Sequence, residues 1–155
     1  MTTPTLIPGS QFTDERGTLN FFNALDMKKV VRFYEIVPIS TKILRAWQAH
    51  REEAKWFYCQ SGSFKVHFIK VDYFDSPSSS LLPETYILTA REPAVLYVPG
   101  GYANGFRALE KDSRLQIFSN FGLEESKGDD FRFPVGQWKV DWDSPRTSND
   151  GNLKG

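Results

Sequence analysis

A chain of 155 residues is long enough to bury one sizeable core and short for two domains. Nineteen Lys and Arg balance nineteen Asp and Glu, which excludes a broad electrostatic claim on nucleic acid or an anionic membrane and leaves any anionic partner to a local cluster. The lone Cys59 excludes an intrachain disulfide, and with no basic-apolar leader or membrane-length apolar run in the sequence, the expected location is the cytoplasm.

Residues 1–10 read as a polar arm carrying two prolines. Asp14-Glu15-Arg16-Gly17 marks a turn, followed by a short strand with paired Phe21 and Phe22. KVVRFYEIV (29–37) is β-branched and aromatic, so a strand is expected there. ILRAWQAH and KWFYCQSG read as two more strands joined by the charged turn REEA, with Arg45, Gln48, His50 and Lys55 projecting into whatever the strands enclose. SFKVHFIKVDYF (63–74) alternates: Phe64, Val66 and Phe68 share one face, while Lys65 and His67 share the other, predicted to be solvated. DSPSSSLLPE (75–84) is a loop by composition, TYILTA a returning strand, and 94–98 a short apolar strand. Pro99-Gly100-Gly101 then makes a tight turn before the polar Asn104. RLQIFSN is a strand, GLEESKGDD has helical leaning for a turn or two, and WKVDW predicts a last short strand. No amphipathic helix of twelve residues exists, so many short strands between turn signals predict one all-β sandwich or barrel over 1–142, with 143–155 as a loose tail.

The order of these signals resembles the two motifs of the cupins, a jelly-roll barrel superfamily. Gln48-Ala49-His50 stands at the His-x-His place, Lys55 at the acidic position and Gly62 at the glycine, while Asn104 fills the histidine slot of Pro-x-Gly-x-x-His. Three of four ligand positions are therefore Gln, Lys and Asn. A divalent transition metal needs imidazole and carboxylate donors there, so a metal-dependent cupin is not expected.

The closer resemblance, over roughly 10–142, is to cupins acting on dTDP-linked 4-keto-6-deoxysugars. Arg45-Ala46-Trp47-Gln48-Ala49-His50, Ala54-Lys55-Trp56 and Val98-Pro99-Gly100-Gly101-Tyr102-Ala103-Asn104-Gly105-Phe106 are similar to motifs of the dTDP-4-dehydrorhamnose 3,5-epimerases. Asp14-Glu15-Arg16-Gly17, Arg32-Phe33-Tyr34-Glu35 and Arg45 to His50 are similar to motifs of the dTDP-sugar 3,4-ketoisomerases. At the epimerase base position stands Gln48, which takes no proton at neutral pH. Pro134 or Val135 falls where the orienting Asp would sit, and Phe118 and Phe121 lie near the place of the acid Tyr.

The resemblance implies a metal-independent, cofactor-free isomerase or epimerase-like enzyme on a nucleotide-linked keto-deoxysugar, in surface polysaccharide synthesis. The alternative is a barrel that binds a sugar nucleotide or partner without turnover. In the enzyme reading His50 is the base and Tyr34 the proton relay, while Arg45 and Lys55 stabilise enolate oxygen or bind diphosphate. Gln48, Tyr102 and Asn104 are the further substrate contacts. For each residue a plainer reading stands beside this one. His50 can be a hydrogen-bonded barrel histidine, Arg45 an ion-pair partner of Glu52 or Glu53, Tyr102 a packing residue and Asn104 a turn stabiliser. Lys55 in a barrel is costly without an anion, which favours the site, whereas Cys59 reads as core. Relatives of this barrel are commonly homodimers that share strands, and the arm at 1–20 is the segment expected to pair across such an interface.

Overall fold

The computed structural model describes residues 2–143, so all but the first residue of the tail expected at 143–155 lies outside the described residues. In chain order the elements are β1 (Thr5–Pro8), β2 (Ser10–Asp14), β3 (Gly17–Phe21), β4 (Arg32–Ile36), β5 (Arg45–His50) and β6 (Lys55–Ser61). They continue as β7 (Ser63–Lys70), β8 (Glu84–Thr89), β9 (Ala94–Val98), β10 (Tyr102–Ala108), β11 (Arg114–Ser119), α1 (Leu123–Lys127) and β12 (Phe131–Arg132).

Two antiparallel five-stranded sheets form the sandwich, in the orders β1-β9-β6-β11-β4 and β12-β5-β10-β7-β8, and β2-β3 is a separate hairpin. The core lies between the sheets. Period-2 alternation sends Phe57 of β6, Phe64, Val66 and Phe68 of β7, Leu96 of β9, Phe106 of β10, and Leu115 and Ile117 of β11 into one buried cluster. This is the expected all-β jelly roll in a single domain.

Four local expectations change. The polar arm contains β1, which pairs with β9 in the register Thr5↔Tyr97. The segment after Pro99 is more than a turn: β10 is a central strand, paired with β5 on one side and β7 on the other. Gly101 adopts φ +91° at the corner, a conformation costly for side chains with a Cβ, and its N–H donates to the His50 carbonyl at 2.8 Å.

WKVDW forms no strand. β12 already occupies the free edge of β5, so the chain after it crosses the outer face of the sheet instead. There Trp138 packs edge-on against Trp47 at 5.2 Å and donates its indole N–H to the Ser78 carbonyl at 2.8 Å.

That crossing also overturns the solvated face predicted for β7. Lys65 and His67 are each 1% exposed. The Trp142 ring stands 4.7 Å from the His67 ring, and His67 Nδ1 is 2.7 Å from Thr85 Oγ1. Burial, helped by the Lys65 ammonium and opposed by Asp141, pulls the His67 pKa down to about 4. Between its ordinary 6.5 and about 4 the unfolded chain binds a proton that the folded chain refuses, so stability is expected to fall as pH drops through that window, by about 3 kcal/mol. Urea unfolding at pH 7 and pH 4.5 checks this. His67→Gln should flatten the difference, and equal losses in both proteins would refute the assignment.

Candidate active site

At one end of the sandwich the inward-facing layer turns from apolar to polar and lines a cavity of about 520 Å³. β4 contributes Arg32 and Tyr34, β5 Arg45 and Gln48, β6 Lys55, and β10 Asn104, while α1 and the segment entering β12 close one side with Lys127, Asp130 and Arg132. Among the apolar residues of the wall, Phe106 and Ile117 continue into the core. Among the described residues the lining carries five cations (Arg32, Arg45, Lys55, Lys127, Arg132) against one carboxylate, Asp130. In a chain with no net charge, this is a local concentration of positive charge.

Strand register sets the geometry. Asn104 lies opposite Gln48 on one side and Phe68 on the other, and Arg132 lies opposite Gln48 on its other edge. The β5–β10 register shifts between Asn104 and Gly105, and the peptide joining Ala46 and Trp47 is cis. A Cβ on Gly105 would sit 2.8 Å from that of Ala46 and 3.1 Å from the Trp47 and Trp142 rings, so the close approach of these strands requires glycine.

A hydrogen-bonded chain crosses the floor. Arg132 Nε donates to Asp130 Oδ1 at 2.8 Å, Gln48 Nε2 donates to the same oxygen at 3.2 Å, and Lys55 Nζ donates to Gln48 Oε1 at 2.9 Å. Gln48 is thus a bridge between a carboxylate and an ammonium. The carboxylate facing this slot is Asp130, where sequence reasoning left Pro134 or Val135. The two-residue β12, too short to carry a periodic signal, sets that alignment.

Lys55 is 3% exposed, and among the described residues no carboxylate comes within ion-pair distance of it. Burial pulls its pKa down to about 8, with Glu53 opposing and Arg32 and Arg132 reinforcing the shift. Nζ also lies 5.7 Å from the centre of the Tyr34 ring, which the Arg32 guanidinium approaches at 5.2 Å. Burial and the Glu53 charge push the Tyr34 phenol up to about 12, so it remains a proton donor at neutral pH.

Of the residues singled out in the sequence, Tyr34, Arg45, Gln48, Lys55 and Asn104 meet at this cavity. His50 and Tyr102 are not part of its lining. Tyr102 lies opposite His50 and packs on the core, edge-on to Phe68 at 6.4 Å. His50 is 2% exposed and donates from Nδ1 to the Asp129 carbonyl at 2.6 Å, which leaves Nε2 as the lone-pair nitrogen of the neutral ring, buried without a hydrogen-bond partner among the described residues. Burial, then the Lys55 charge, lowers its pKa. Arg45 is exposed at the mouth, and the guanidinium that meets Glu53 belongs to Arg32, at 3.3 Å. Arg32, Lys127, Asp130 and Arg132 are the charged site residues that the sequence reading missed. Arg32 sits one strand period from Tyr34, the spacing that puts two side chains on one face.

Among the described residues no group of three His, Cys, Asp or Glu side chains is placed to hold a metal ion, and no helix is long and apolar enough to cross a membrane.

No protein-family model matches the chain, and no curated protein matches it by sequence. Solved structures do. An rmlC epimerase of Mycobacterium tuberculosis superposes with a TM-score of 0.72 at 20% identity, covering 90% of this chain and 74% of that one. The dTDP-4-dehydrorhamnose 3,5-epimerase of Elizabethkingia anophelis gives 0.69 at 20% identity, over 96% and 88%. The sugar 3,4-ketoisomerase QdtA of Thermoanaerobacterium thermosaccharolyticum, in complex with TDP, gives 0.63 at 17% identity, over 87% and 91%. At such identities the likeness is one of fold: the chain is a jelly-roll barrel, built like these sugar-nucleotide epimerases and ketoisomerases.

Proposed function

We propose that the cavity binds a nucleotide-linked keto-deoxysugar of the dTDP-4-keto-6-deoxyhexose type and moves a proton at a carbon beside its carbonyl without a metal, in the cytoplasm, as a step of deoxysugar or polysaccharide synthesis. The observation that carries this reading is a buried ammonium, Lys55, beside a protonated phenol, Tyr34, in a cavity with five cations and one carboxylate. The arginines at the rim suit a diphosphate, and Arg45, exposed at the mouth, is placed to meet it first. Lys55 suits the oxygen on which an enolate charge develops, and Tyr34 can return a proton. Since His50 is not on the wall, direct proton abstraction falls to the neutral form of Lys55. The assembly proposed is a homodimer. Phe33 on edge strand β4 is 65% exposed and stacks on Phe118, between the exposed Val31 and Val37. Sedimentation at twice the chain mass is expected, and a monomer would refute the assembly.

A second reading, binding without turnover, is favoured by the burial of His50 behind the wall. Incubation with dTDP-4-keto-6-deoxyglucose in deuterated water separates the two by NMR. Deuterium at C3 or C5, or a 3-keto product, is the expected result. Calorimetric binding without exchange would leave only the second reading, and absence of binding would refute both.

A further inference from the structure

Lys55 presents an unusual combination: an amine on the wall of a cavity, almost wholly removed from solvent, hydrogen-bonded only to a neutral amide oxygen among the described residues. A structural lysine so placed would need a carboxylate, because an unpaired buried ammonium costs several kcal/mol. Here Glu53 lies beyond ion-pair distance of the amine and faces Arg32 with one oxygen and, at 3.7 Å, the His50 ring with the other. Its Oε2 accepts from Ser119 Oγ at 2.8 Å and from Arg32 at 3.3 Å. The lining carboxylate Asp130 is taken by Arg132 and Gln48. The surroundings thus disfavour the charged amine and leave its nitrogen facing the space where a ligand sits. That is the setting in which a lysine becomes a nucleophile toward carbonyl carbon.

We propose that Lys55 condenses with the carbonyl group of its ligand, forming an iminium through which the neighbouring carbon is made acidic. This rests on the keto-sugar reading given above and deepens it, since it replaces an enolate held by an ammonium with an enamine covalently attached to the protein. Lys55 is then no longer the base, and the proton of the neighbouring carbon passes to Asp130, the one carboxylate on the lining among the described residues. The nitrogen lone pair of the deprotonated amine attacks the carbonyl carbon, the C=O pair moves to oxygen, and protonation of that oxygen gives a carbinolamine. The hydroxyl leaves as water as the nitrogen lone pair forms the C=N bond. Counted from the ammonium, R–NH3+ and O=C give R–NH+=C and H2O, with no external oxidant, reductant or net proton.

The neighbours fit each species along this path. Gln48 Oε1, which accepts from the ammonium at 2.9 Å, can accept equally from the N–H of the iminium. The Tyr34 ring, 5.7 Å from Nζ, offers a π-face to the nitrogen cation at both ends of the path, the ammonium and the iminium. The phenol of Tyr34, still protonated at neutral pH, is a donor for the departing hydroxyl. Ammonium and iminium carry the same single positive charge, so the arginines around the nitrogen impose no new repulsion on the product.

Reductive trapping tests the proposal. The full chain is incubated with dTDP-4-keto-6-deoxyglucose and sodium cyanoborohydride, which reduces iminium in preference to ketone. Intact mass should show one adduct, of ligand mass less one oxygen atom, carried by the peptide that contains Lys55. Excess dTDP should suppress it, and Lys55→Met should lack it. The protein should also accelerate loss of the ketone oxygen of the sugar into 18O-labelled water, a readout that does not depend on the variant folding. Unmodified protein, or an adduct scattered over surface lysines, with calorimetry showing the ligand bound, overturns the covalent step and leaves the binding reading standing. If dTDP-4-keto-6-deoxyglucose does not bind at all, both fall together.

Discussion

Asp129→Ala is expected to cost about 3 kcal/mol of stability, which for a chain of this size is a fall in Tm of roughly 6–12 °C. The carboxylate of Asp129 caps the β5–β6 turn. Oδ1 accepts from the Arg51 N–H at 2.7 Å, and Oδ2 accepts from the Glu52 and Glu53 N–H groups at 2.9 Å each. Hydrogen bonds to a charged acceptor are worth roughly 1.5–3 kcal/mol apiece when buried. Arg51 and Glu52 are exposed, so water can replace part of what they lose, whereas Glu53 is 1% exposed and cannot recover its partner. The backbone of Asp129 also takes the His50 ring N–H at 2.6 Å, so one residue ties the turn, the buried histidine and the entry to β12 together. Asp129→Asn keeps one acceptor oxygen and turns an NH2 toward backbone donors, so its loss should be of similar sign and somewhat smaller, about 2 kcal/mol. Urea unfolding of the three proteins decides the matter. A cost below about 1 kcal/mol for Asp129→Ala would mean that the turn holds itself without the cap. Because Asp130 and Arg132 follow directly, the loosened variant should also weaken nucleotide-sugar binding.

Which parts of this were legible in the sequence follows from the range of the interactions. Alternation of apolar residues is a local signal, and it located β4, β6, β7, β8, β9 and β11 because each packs one face on the shared core. The motif positions brought Tyr34, Arg45, Gln48, Lys55 and Asn104 to one cavity for the same reason: register along long strands fixes which side chains face inward. What failed was set by non-local covering. His67 and Lys65 alternate as a solvated face should, and nothing within β7 announces that Trp138 and Trp142, seventy residues downstream, fold over them. WKVDW has strand composition, yet the edge it would need is occupied by the dipeptide Phe131–Arg132. Arg32 and Arg132 each complete the site from the ends of strands, where propensity and periodicity carry least information.

Lys55→Met is expected to make the protein more stable and less functional at once. In the folded chain the Lys55 amine has a pKa of about 8 against its ordinary 10.5, so at neutral pH the fold holds an ammonium at a cost of about 3 kcal/mol relative to the unfolded chain. Between about 8 and 10.5 the unfolded chain retains a proton that the folded chain has released, so this part of the stability rises with pH across that window. Below 8 both states are protonated and the full cost stands. The groups facing the amine are Arg32 and Tyr34 from β4, Gln48 from β5, Glu53 from the preceding turn, and Asp130 and Arg132 beside β12. Against its burial, the hydrogen bonds from Arg132 and Gln48 hold the Asp130 carboxyl below its usual range, so it stays charged through the window. The raised pKa values of Cys59 and Tyr34, each about 12, make stability fall above pH 9–10, so the Lys55 contribution is read as the difference between wild type and variant. Methionine fills nearly the same volume without charge and strands the Gln48 oxygen, so the net gain at pH 7 should be about 2 kcal/mol, shrinking toward zero by pH 10. Over the same comparison, deuterium exchange into dTDP-4-keto-6-deoxyglucose should fall by roughly 100- to 1,000-fold, the scale of removing a group that stabilises developing charge. A variant that loses both stability and exchange would mark Lys55 as a structural cation whose partner is Gln48. One that gains stability and keeps exchange would move the chemistry elsewhere on the wall. The combination expected here, a stability gain with loss of turnover, is what a residue placed against the interests of the fold should give.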